Sequence, residues 1–85
     1  MNNEYHDGET VTATVAHVHV KGFGFLEVAG RTARLYCHVS DCRPQSLLSI
    51  GQRVTAQVGT KRDGRPRAAN VVAFLEPAPR GYIQN

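Results

Sequence analysis

Apolar and polar residues alternate with a period of two along most of this 85-residue chain, the pattern of strands with one face buried and one face wet. Val11, Ala13 and Val15 alternate with Thr10, Thr12 and Thr14, and the β-branched content predicts a first strand. The run 18–22 then leads into Phe23-Gly24-Phe25-Leu26-Glu27-Val28, a second strand with Phe23, Phe25 and Glu27 on one face and Leu26 and Val28 on the other. After a turn at Ala29-Gly30-Arg31, Ala33, Leu35 and Cys37 alternate with Thr32, Arg34, Tyr36 and His38. Residues 39–50 contain Pro44 and lack a full helical period, which predicts an irregular connection with one short turn. A fourth strand is expected over 52–58, with Val54, Ala56 and Val58 inward, then a loop over 59–66 with Asp63-Gly64 at its tip. A last strand at about 67–75 ends at Glu76-Pro77-Ala78-Pro79, where two prolines stop a ladder. The fold class is therefore all-β, a small five-stranded antiparallel barrel whose closure removes exposed edges. A sandwich of this size would have a thin core.

Placing the aliphatic residues in the core turns Phe23, Phe25, Tyr36, His38 and Arg34 to one exposed surface on two adjacent strands. Periodicity alone leaves the converse open, with the phenylalanines inside. Exposing such rings forfeits roughly 1.5–3 kcal/mol each relative to burial. Unpaired bases recover it by stacking, at roughly 1–3 kcal/mol per base. Gly22 and Gly24 are expected to keep the surface low beside the rings.

Charge sharpens this reading. The formal net charge is +3, but Glu4, Asp7 and Glu9 fall in the first nine residues. The remainder carries ten basic and four acidic side chains, a net +6, which suits an anionic partner, nucleic acid first. Lys61, Arg62, Arg65 and Arg67 cluster around one loop, and Arg31 and Arg34 are expected to flank the aromatic face. Three segments are expected: an acidic flexible lead-in over 1–8, the domain over 9–76, and a proline-bounded tail with Tyr82 over 77–85. The N-terminus lacks a basic n-region and an apolar h-region, so no secretory signal is expected, and no stretch has the ~20 apolar residues of a membrane span. A cytoplasmic location is the expectation. Cys37 and Cys42, five apart, form neither a redox C-x-x-C nor a zinc-ligand pair. No cofactor is implied.

Several segments resemble the cold-shock domain family. Lys21-Gly22-Phe23-Gly24-Phe25-Leu26 is similar to its first ribonucleoprotein motif, and Leu35-Tyr36-Cys37-His38-Val39-Ser40 to its second, usually V-F-V-H-F-S. Gly51-Gln52-Arg53-Val54 and Gly64-Arg65-Pro66-Arg67-Ala68-Ala69-Asn70-Val71 are similar to the start of its fourth strand and to its G-P-Q-A-A-N-V closing strand. The resemblance implies an OB-type barrel that binds single-stranded RNA and DNA with little sequence preference, as an RNA chaperone or cold-shock-type regulator. By motif position, Phe23, Phe25, Tyr36 and His38 would stack bases and Lys21 would contact phosphate. Cys37 and Cys42 fall where the family carries core aliphatics.

The chain also departs from the family. It has no tryptophan, and the family's Trp-Phe pair late in the first strand falls on Ala16-His17 or His17-Val18, which makes His17 the substitute ring. Val39 replaces the second motif's last aromatic, and the short connection 43–50 offers Leu47 and Leu48 where an aromatic commonly sits. The expected platform is thin in aromatics, with Arg34, Lys61, Arg62, Arg65 and Arg67 shifting the balance toward phosphate. Rival readings are weaker. His17, His19 and His38 lack a further ligand at metal-site spacing, and no nucleophile context or pocket suggests an enzyme. The main alternative is a protein-interaction module using the same aromatic patch, and the assembly is expected to be a monomer or weak dimer without membrane or small-molecule partner.

Overall fold

The computed structural model describes residues 4–61 and 63–75. Five main strands form the barrel: β1 (Thr10–His19), β2 (Phe23–Glu27), β3 (Leu35–His38), β5 (Arg53–Thr60) and β6 (Pro66–Ala73); a two-residue strand, β4 (Cys42–Arg43), lies between β3 and β5 in the chain. No α-helix occurs among the described residues. β1 is long enough to serve two neighbours. Its first half, Thr10 to Thr14, pairs antiparallel with β5, and its second half, Thr14 to His19, pairs with β2. β2 pairs with β3 and β5 with β6, both antiparallel. Closure comes from a parallel contact of β3 with β6 at Tyr36 and Arg67, and β4 adds a second parallel contact to β6. This is the expected five-stranded OB-type barrel.

The inward set is largely the one the alternation predicts. Val11, Ala13 and Val15 of β1, Leu26 of β2, Leu35 and Cys37 of β3, and Val54, Ala56 and Val58 of β5 are all buried. Ala33 is the exception: β3 starts only at Leu35, and Ala33 is exposed in the loop before it. Cys37 and Cys42 are free thiols in the core, their sulfurs 3.5 Å apart, and burial pushes both thiol pKa values up. They act as small apolar residues there.

Two bulges break strict alternation. Val15 faces Leu26 and His17 faces Phe25, so Ala16 is an extra residue in β1. On β6 the register moves from Thr55↔Val72 to Gln57↔Ala69, and Asn70 adopts a positive φ of 50°. That second bulge lets Ala68 and Val71, three apart, both enter the core.

The connection 39–50 has two 3-10 turns, Val39–Asp41 and Gln45–Leu47, flanking β4. Leu47 and Leu48 are buried in the core cluster, so they do not supply a surface ring in place of the family's aromatic.

Residues 4–9, within and just beyond the acidic lead-in, pack against the barrel. Tyr5 is only 9% exposed and belongs to the core cluster, and its hydroxyl donates to the Ala33 carbonyl at 2.6 Å. The Glu4 carboxylate accepts from the Thr32 and Ala33 amides and from the Thr32 hydroxyl. Arg31 donates to the Glu4 carbonyl and to Glu9, and lies 4.7 Å from the Tyr5 ring centroid. Residues 4–9 therefore clasp the β2–β3 loop. The proposed tail, 77–85, lies outside the described residues.

Candidate nucleic-acid interface

The Ala16 bulge builds the aromatic face. In a regular strand His17 and His19 would share the inward face of Val15; the extra residue turns them outward, onto the face of Phe23 and Phe25. Strand register then sets the rings in two rows. One runs His17, Phe25, Tyr36 across β1, β2 and β3; the other runs His19, Phe23, His38. Both phenylalanines are outward, half-buried only by their neighbours, which excludes the inverted parity.

The rings contact one another within and across the rows. His19 stacks on Phe23 with centroids 4.7 Å apart and planes 7° from parallel. Phe23 lies 5.7 Å from Tyr36, and Phe25 meets both Phe23 and Tyr36 edge to face at 6.1 and 5.9 Å. His17 is tilted against Phe25 at 6.1 Å. Such offset and edge contacts are favourable for aromatic pairs, so the array is braced. His38 is fixed from below, its Nδ1 accepting the Ser40 amide at 3.1 Å with the Ser40 hydroxyl 2.9 Å away. His19 Nδ1 likewise accepts the Lys21 amide at 3.1 Å. His19 was absent from the predicted stacking set because that set followed the family's motif positions, which include His17 but not His19; its shared alternation with His17 was the available signal.

The glycines have other roles than a low surface. Gly24 alternates with the phenylalanines, so it faces inward and is buried. A side-chain carbon there would collide with the His17 carbonyl, so β1 approaches β2 as closely as only glycine permits. Gly22 closes the β1–β2 turn with a φ of 93° and a 3.0 Å bond from its amide to the His19 carbonyl.

The predicted cations rim the rings. Lys21 is exposed on the β1–β2 turn. The Lys61 ammonium lies 4.0 Å from the centroid of Tyr36. Arg34 and Arg65 line, with Phe25, Tyr36 and Lys61, an open hollow of about 680 Å³. Several are already paired: Arg34 with Glu27 at 2.7 Å, Arg65 with Asp63 at 3.5 Å, and Arg67 with Asp41 at 2.7 Å. Lys21 and Lys61 have no carboxylate partner among the described residues. Arg62 lies outside them. Arg31 does not flank the rings as expected, since Glu4, Glu9 and Tyr5 occupy it. No group of three or more metal-ligating side chains occurs among the described residues, and no helix there is long and apolar enough to cross a membrane.

Residues 11–74 match the family model of the 'Cold-shock' DNA-binding domain. Among solved structures, a Drosophila protein, Unr, described as its CSD456 segment, is similar with a TM-score of 0.65 and 26% identity. That likeness covers 91% of this chain, and the chain spans about 30% of the Drosophila segment. No curated protein matches.

Proposed function

From the chain's membership of the cold-shock domain family, a nucleic-acid-binding family, we propose that it binds single-stranded RNA or DNA with low sequence specificity as a cytoplasmic RNA chaperone. The observation that carries this is the pair of cross-strand rows, His17-Phe25-Tyr36 and His19-Phe23-His38. Strands in a sheet lie about 4.8 Å apart, so each row offers ring surface to a chain of splayed bases rather than to one isolated ligand. Bases would stack on Phe23, Phe25, Tyr36 and the histidines, since every base has a face to offer. Lys21, Lys61, Arg62 and the rim arginines would meet the phosphates. Paired bases of a duplex bury those faces, so single strands are favoured.

The test is a fluorescence titration with short oligo-U and oligo-T against duplex of equal length. Single strands should bind and duplex should bind much more weakly. The Phe23→Ala/Phe25→Ala double variant should lose at least about 2 kcal/mol, given roughly 1–3 kcal/mol per stacked base. Undiminished binding by that variant would overturn the platform assignment and favour a protein-facing patch.

A further inference from the structure

We propose that the hollow beside the platform, bounded by Tyr36, His38, Ser40, Asp41, Lys61 and Arg67, is a base-reading subsite that selects guanine. The proposal rests on the single-strand reading above and adds to it one position at which base identity matters. The rings cannot supply such discrimination, because stacking tolerates every base.

The hollow holds about 460 Å³, within the roughly 300–1,000 Å³ of small-molecule sites. Its lining combines the Tyr36 and His38 rings with hydrogen-bonding groups of both kinds. The Tyr36 ring belongs to the first platform row, so a nucleotide stacked along that row reaches the hollow without leaving the sheet. Asp41 ends the His38-capped turn, and Arg67 stands opposite Tyr36 on β6. One Asp41 oxygen accepts from Arg67 at 2.7 Å, while the side chain stays 24% exposed. A carboxylate has about four acceptor positions on its two oxygens, so this single bond leaves Asp41 free to accept from a ligand. Lys61, at the Tyr36 ring, and Arg67 bring donors to the same space.

A carboxylate beside cations matches one base edge best. Guanine presents two adjacent donors, N1–H and the N2 amine, next to the O6 acceptor. The carboxylate accepts both donors, and a cation donates to O6. Adenine and cytosine set a ring-nitrogen acceptor beside their single amine, which the carboxylate repels. Uracil and thymine offer one N–H between two carbonyls. Hypoxanthine keeps N1–H and O6 but lacks the N2 amine, so it isolates the second carboxylate bond.

The experiment uses the whole chain and a series of oligo-U strands with one central guanine, hypoxanthine, adenine or cytosine. The guanine strand should bind about tenfold more tightly than the adenine and cytosine strands, equivalent to about 1.4 kcal/mol, within the range of one good bidentate base contact. The hypoxanthine strand should lose most of that advantage. Asp41→Asn should remove the guanine advantage while still binding oligo-U, which also shows that the variant is folded. Guanine bound no better than adenine, or no better than hypoxanthine, overturns the subsite while leaving single-strand binding intact. Failure of every strand to bind overturns the single-strand reading itself, and the subsite with it.

Discussion

At Gly24, a single methyl group would strike the His17 carbonyl, with the Leu48 side chain close by. Neither backbone strand can yield without opening the β1–β2 ladder. Gly24→Ala should therefore cost at least the roughly 1–3 kcal/mol of an overpacked core. At about 4–8 °C per kcal/mol for a domain of this size, a thermal melt should show a clear fall. The same melt on Gly30→Ala, where nothing lies within 4 Å but φ is 82°, separates backbone strain from collision. His19 predicts the opposite balance. Its ring stacks on Phe23 at the surface, so His19→Ala should leave the melting temperature nearly unchanged and weaken oligo-U binding by about 1 kcal/mol, the low end of a stacked base. Unchanged affinity would remove His19 from the platform.

At the scale of elements, the N-terminal clasp ties stability to pH. The Thr32 and Ala33 amides hold the Glu4 carboxyl below its usual range, and the bond from Arg31, with the His6 amide, lowers Glu9 to about 2. Both groups favour the fold when ionised. Their contribution is complete above the ordinary carboxyl value of 4.5 and is lost as pH falls toward the folded values. Melting temperature should drop between about pH 4.5 and 2, and Glu9→Gln should start lower at pH 7 and fall less steeply. A parallel fall in both proteins would remove Glu9 from this account. Strand identity and the inward set of β1, β2 and β5 were legible in the sequence because alternation directly records which face is buried. The clasp was not, because Tyr5 is a lone aromatic among polar residues and its partners, Ala33 and Arg31, are more than 25 positions away. The bulges were hidden for a related reason. Ala16 and Asn70 shift parity through register with a partner strand, which one strand's own pattern does not contain.

For the whole molecule, the salt dependence of binding reports how its charges are shared. Counting cations suggests a phosphate-dominated surface, but Arg34, Arg65 and Arg67 already hold carboxylates. The exposed pairs of Arg34 and Arg65 are worth only about 0–1 kcal/mol, so phosphate can displace them at modest cost, whereas the Arg67–Asp41 pair is part-buried. Each neutralised phosphate contributes about −0.7 to the slope of log K against log salt on single strands. Lys21 and Lys61 alone would give about −1.4 by that figure, and each arginine that changes partner would steepen it by a further −0.7 or so. A measured slope between about −1.4 and −3.5 is expected; one near zero would remove phosphate from the mechanism. The Ala16 bulge has a consequence at this scale too. It acts on β1 as a one-letter insertion acts on a reading frame, so that odd-numbered residues before it are spelled for the interior and odd-numbered residues after it for the aromatic face. Substitutions at His17 or His19 can therefore reshape the aromatic face without rewriting the barrel.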